Sequence, residues 1–100
     1  MKVLAEISVI PLGVGVSISD YVAACERVLR AAGLDPKLHA FGTNVEGEWE
    51  AVMAAVRQCH EAVHQMGAPR VSTSLKLSTR IDRPQTLADK VQSVEGKAEG

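Results

Sequence analysis

Residues 2–10 alternate, with Val3, Ala5, Ile7 and Val9 on one side and Leu4, Glu6, Ser8 and Ile10 on the other. A strand turns successive side chains to opposite faces, so a period of two predicts a strand with one buried face. Pro11 and Gly13 are expected to end it. The period then lengthens. Val22, Cys25, Val28 or Leu29, and Ala32 recur at helical spacing, with Glu26, Arg27 and Arg30 expected to face away. Ser17 or Ser19 can cap this helix, and Gly33 provides its stop.

Pro36 to Phe41 reads as a second strand, and Gly42 to Glu46 as a turn into a short third one. A second helix follows, with Trp49, Val52, Met53, Val56, Cys59 or His60, and Val63 as its apolar stripe. Glu48 and Glu50 stand where the helix dipole favours anions, Gly67 ends the helix, and Pro69 forbids its continuation. Alternation returns from Val71 to Ile81, setting Val71, Thr73, Leu75, Leu77, Thr79 and Ile81 against Ser72, Ser74, Lys76, Ser78 and Arg80. Gln85 to Val94 predicts a short helix through Leu87, Val91 and Val94, and Glu95 to Gly100 a frayed end.

The order strand, helix, strand, strand, helix, strand is the split βαβ arrangement. It predicts a ferredoxin-like α+β fold: βαββαβ, an antiparallel sheet with two helices on one face, and a short C-terminal helix. The other face is left bare, carrying Leu4 and Ile10 beside Glu6, Ser8, Ser74 and Lys76. A mixed surface of this kind predicts a homo-oligomer formed by sheet packing.

Composition narrows the function. A chain of 100 residues, 46% hydrophobic, suffices for one core, so residues 1–100 are expected to form a single domain. The net charge is -1 and the basic residues are dispersed, which argues against a nucleic-acid partner. Only Tyr21, Phe41 and Trp49 could stack on a ring, and Trp49 is expected to serve the core. No apolar run approaches a membrane span, and Glu6 interrupts the N-terminal stretch before signal-peptide length. With Cys25 and Cys59 alone, the economical expectation is a cytoplasmic protein with free, buried thiols.

His60-Glu61-Ala62-Val63-His64 fits the zinc-protease string H-E-x-x-H, and Gly67 extends the match. Two histidines four apart on a helix can share one ion, with Glu61 placed to take a proton from bound water. The third metzincin ligand is missing, however, because Arg70 occupies its position with a permanent cation. The helical stripe puts His60 at the buried edge and Glu61 on the solvent side, with Arg57 one turn before it. The expectation is a hydrogen-bonded His60 and a solvated Glu61 and His64, with no metal and no catalytic residue. His39 has no identifiable partner in the sequence.

Two glycine-containing loops are better candidates for ligand contact: Pro11 to Ser17 and Phe41 to Gly47. The first lacks the lysine of a P-loop and the third glycine of a dinucleotide fingerprint, and is assigned no nucleotide role. The second sets Glu46 and Glu48 around Gly47, a pairing that suits a cationic or amino-bearing ligand. Glu48 is expected to serve mainly the helix dipole.

Read in order, Glu6-x-Ser8-Val9-x-Pro11-Leu12-Gly13, Ser17-Ile18-Ser19-x-Tyr21-Val22, Gly33-Leu34, Gly42-Thr43-Asn44-Val45-Glu46-Gly47, Cys59-His60-Glu61, Gly67-Ala68-Pro69-Arg70-Val71 and Lys90-Val91-x-Ser93-Val94 resemble the YkoF-like thiamine-binding proteins. The resemblance spans nearly the whole chain. It implies a small ferredoxin-like protein assembling through its sheets into a homodimer or homotetramer. It also implies non-enzymatic binding of thiamine or its hydroxymethylpyrimidine part, with no further cofactor. Together with the residue chemistry it places the aminopyrimidine near Ser8, Thr43 and Asn44, with Glu46 accepting from its exocyclic amine or ring nitrogen. No residue supplies a diphosphate clamp, so free thiamine is the expected ligand. The competing expectations are a ferredoxin-like interaction module without a small ligand and, third, the zinc hydrolase.

Overall fold

The alternating segments pair as expected. A computed structural model describes residues 1–100 as β1 (Lys2–Leu12), α1 (Ser19–Ala31), β2 (Lys37–His39), β3 (Gly42–Glu48), α2 (Trp49–Gln65), β4 (Arg70–Ser78) and α3 (Leu87–Ala98). The strands form one antiparallel sheet in the order β2-β3-β1-β4, the ferredoxin-like α+β arrangement. Both α1 and α2 cover the face that carries Val3, Ala5, Ile7 and Val9. These residues, with Cys25, Leu29, Val45, Val52, Ala55, Cys59 and Val63, form most of the core. Fully burying an aliphatic side chain contributes about 1.5–3 kcal/mol, so this stripe-on-strand contact carries the fold.

Each of the two long helices ends as its glycine requires. Gly33 and Gly67 take φ of 76° and 105°, a left-handed conformation without penalty for glycine. In both cases the following residue donates back five positions, Leu34 to the Leu29 carbonyl and Ala68 to the Val63 carbonyl, closing a Schellman motif.

Several boundaries differ from the sequence expectation. β1 runs through Pro11 to Leu12 because β3 pairs with it only as far as Ile7, leaving one flank where a residue without an N–H is tolerated. Neither Ser17 nor Ser19 caps α1; Ile18 holds the cap position and no side chain bonds there. The segment expected to turn at Gly42–Glu46 is β3 itself, and the hairpin reverses at Ala40 and Phe41. β4 stops at Ser78, with Arg80 in a bidentate pair with Asp82 (2.7 and 2.6 Å) just beyond it. The final helix continues to Ala98 instead of fraying after Val94, started by a capping box between Thr86 and Asp89.

The largest correction concerns α1. Glu26, expected in solvent, is only 6% exposed. Its place in the sequence shows why: it lies four residues after Val22 and three before Leu29, inside the buried stripe that those residues define.

Candidate functional site

Because β1 continues past the end of β3, its last residues diverge from the β2–β3 hairpin and leave a cavity beneath α1. Its volume is about 310 Å³, within the range of roughly 300–1,000 Å³ common for small-molecule pockets. Ile18 at the cap of α1, Val22 and Leu29 within it, Ile7 and Val9 of β1, and the hairpin residues 38–42 enclose it. Ser8, Glu26, His39 and Thr43 are the polar residues of this lining, beside the thiols Cys25 and Cys59.

Glu26 dominates the chemistry. The Thr43 hydroxyl donates to its Oε2 at 2.8 Å, while the buried Oε1 has no hydrogen-bond partner. A buried polar atom left unpaired costs on the order of 1–3 kcal/mol, more when charged. A ligand that brings an N–H donor, above all one carrying positive charge, offsets that cost inside an apolar enclosure. No lysine or arginine lines the cavity.

The four residues expected to hold a ligand do not converge. Ser8 and Thr43 line this cavity; Asn44 and Glu46 do not. The cause is alternation along β3: Thr43 and Val45 turn toward the helices, Asn44 and Glu46 toward the open face. On that face Glu46 is engaged on both oxygens, by Lys2 Nζ at 3.1 Å and by the Leu87 backbone N–H at 3.3 Å, and so holds the start of α3 against the sheet. Asn44 Oδ1 meets His39 Nε2 at 3.2 Å, and the same nitrogen lies 3.3 Å from Glu6 Oε2. His39 therefore has two partners that its sequence neighbours do not announce. A more open cleft of about 710 Å³ beneath α3 includes Asn44 and Glu46, but no buried unpaired group faces it.

Glu48 pairs with the terminal ammonium of Met1 at 2.9 Å and makes no side-chain cap bond to α2; the contact holds the amine's pKa above its ordinary value. Trp49 packs against the core from the first position of α2.

The H-E-x-x-H string is absorbed by structure. His60 Nε2 bonds the Thr73 hydroxyl across to β4, and His64 Nδ1 donates to the Ala68 carbonyl at 2.8 Å, securing the turn after α2. The two rings are 6.4 Å apart and tilted by 58°. Glu61 pairs with Arg57 at 3.2 Å on the solvent side. No three His, Cys, Asp or Glu side chains are grouped to hold a metal ion. Cys25 and Cys59 are buried free thiols where α1 meets α2. Their mutual contact, and then burial, push the Cys59 thiol pKa up. No helix is long and apolar enough to cross a membrane.

Comparison with known proteins gives a consistent result. The thiamine-binding protein family matches over residues 5–95. The UPF0045 protein sll0230 of Synechocystis is 58% identical over 95 residues, 95% of this chain and 78% of that protein. The UPF0045 protein ECM15 of Eremothecium gossypii is 42% identical over 98 residues, 97% of this chain and 93% of that one. A crystal structure of a Methanocaldococcus jannaschii protein superposes with a TM-score of 0.88 at 35% identity, covering 94% of this chain and 96% of the other. A Thermotoga maritima protein shares the fold at a TM-score of 0.81 and 22% identity, covering 94% and 99%.

Proposed function

This chain belongs to the thiamine-binding protein family, and on that premise we propose that it captures thiamine, or its hydroxymethylpyrimidine part, reversibly and without catalysis. The observation that carries this is Glu26: a carboxylate 6% exposed, one oxygen held by Thr43 and the other unpaired, at an apolar cavity of fitting size. The exocyclic amine of an aminopyrimidine is an N–H donor for that unpaired oxygen, while the neighbouring ring nitrogen accepts and becomes a donor only when protonated. Ser8 and Thr43 join Glu26 in the site, and the absence of lysine and arginine from the lining favours free thiamine over its diphosphate. Asn44 and Glu46 support the site from the opposite face of β3 by holding His39 and α3.

In this role the protein is a cytoplasmic carrier, buffer or salvage accessory, with a small molecule as its partner and further copies of itself, as homodimer or homotetramer, packed on the open sheet face. Ile10, exposed on that otherwise polar face, supports the assembly, whereas Leu4, expected bare, is buried in the fold beside α3.

The test is titration calorimetry of thiamine into chelator-treated protein. Saturable heat with a matching rise in melting temperature is the expected result, since a ligand that binds the native state stabilises it. No heat from thiamine or from the free pyrimidine would sink the proposal and favour an interaction module.

A further inference from the structure

Three apolar side chains around the cavity are exposed to solvent. Phe41 is 88% exposed, Leu38 60% and Ile10 36%, yet all three belong to the cavity wall. Phe41 is the chain's single phenylalanine and sits at the tip of the β2–β3 hairpin. An aromatic ring in water at the lip of an apolar pocket has apolar area to bury and no packing partner within the fold.

The hairpin tip is lightly held. β2 has three residues, all exposed, and pairs only with β3. The turn itself is tied by the Phe41 backbone N–H donating to His39 Nδ1 at 3.3 Å. Beside it, Gly42 approaches β1 so closely that a Cβ would stand 3.0 Å from the Ile7 carbonyl oxygen. The tip is thus anchored at its base against β1 and free at its end, above a cavity whose far wall is Ile18 and Val22. Short exposed pairings of this kind open at low free-energy cost.

We infer that Phe41 is the cover of the binding site: the hairpin tip folds inward on a bound heteroaromatic ring and packs Phe41 against it, with Ile18 and Val22 behind and the ring's amino group at Glu26. The inference rests on the proposed function, and it assigns the ring's apolar recognition to a residue that the ligand-free protein keeps in water. Covering the ring acts on escape of the ligand more than on its entry.

Thiamine binding to wild type, Phe41→Ala and Phe41→Tyr, by calorimetry and stopped-flow dissociation, decides the matter, with melting temperatures taken without ligand. Phe41→Ala is expected to weaken binding about tenfold to a hundredfold, chiefly through faster dissociation, while Phe41→Tyr keeps most of the affinity. The ligand-free melting temperature of Phe41→Ala should match wild type, because an exposed ring packs on nothing. Unchanged affinity in Phe41→Ala, with wild type binding thiamine, would overturn the cover and leave the functional proposal standing. Lost affinity accompanied by an equal loss of ligand-free stability would overturn it as well, since the residue would then be structural. If wild type itself takes up no thiamine, both fall together.

Discussion

Glu26 and Glu46 lie on opposite sides of one sheet and do opposite things. Glu46, on the open face, has both oxygens engaged, one by the Lys2 ammonium and one by the first N–H of α3. Glu26, under α1, is almost wholly enclosed and has one oxygen bonded to Thr43 and one to nothing. A carboxylate whose lone pairs are already spent is a strut, and a new donor reaching it must displace an old one. A buried carboxylate with an unspent oxygen gains outright from an incoming donor. The lesson is that acidity beside a glycine is a weaker signal for a ligand than burial without a partner.

The sharpest way to break this contrast is the isosteric pair Glu26→Gln and Glu46→Gln. Losing a charge-assisted bond in a desolvated site is expected to cost Glu26→Gln about 2–3 kcal/mol of thiamine affinity, a thirtyfold or larger rise in Kd by calorimetry, while the protein stays folded. Glu46→Gln should leave Kd within about threefold, an effect below 1 kcal/mol. The reverse ranking would move the site to the open face.

Next in size is Thr43→Val, which preserves shape and removes the hydroxyl that holds Glu26 Oε2. With a second buried oxygen unpaired, the ligand-free protein is expected to lose about 1–3 kcal/mol in urea unfolding. Thr43→Ser should restore most of it. An unchanged midpoint for Thr43→Val would mean that the contact contributes nothing.

On the open side the same glutamate that is neutral for binding should matter for α3. Glu46→Gln is expected to speed amide hydrogen exchange at Leu87 and through the first turn of α3, leaving α1 and α2 unaffected, because no residue of α3 is fully buried. Uniform exchange rates across wild type and variant would show that α3 is held by something else.

The smallest effect belongs to the exposed turn after β4. The Arg80 guanidinium holds the Asp82 carboxyl down at about 2. A depressed folded-state value stabilises above the ordinary aspartate range and is lost as pH falls through the folded value, so this contribution should persist in mild acid and fade near pH 2. Because the pair is at the surface, the visible consequence is the carboxyl's NMR titration midpoint, with little change in unfolding. A midpoint near the free value of about 3.9 would show that the pair does not persist in solution.

The fold was largely legible along the chain, for reasons visible in particular residues. Val3, Ala5, Ile7 and Val9 leave one face for β1, and Gly33 and Gly67 stop two helices at positions that only a left-handed residue fills cheaply. The cavity's polar residues were less legible. Ser8 and Thr43 line the cavity, whereas alternation along β3, hidden when 42–46 reads as a turn, separates Thr43 from Asn44 and Glu46. The charge of Glu26 points to solvent, but its angle on the helix, between Val22 and Leu29, points to the core.

Sequence by itself therefore determined element order, sheet topology, the buried stripe and the family, because each depends on local periodicity or on motifs kept in order along the chain. Only the tertiary structure decided which carboxylate has an oxygen to spare, which histidines are already partnered and which phenylalanine stands unpacked beside a cavity. Those are properties of contacts between residues 17 positions apart, as for Glu26 and Thr43, or 41, as for Glu46 and Leu87. A hydrogen bond is spent or unspent only once the chain has closed on itself, and no local pattern carries that count.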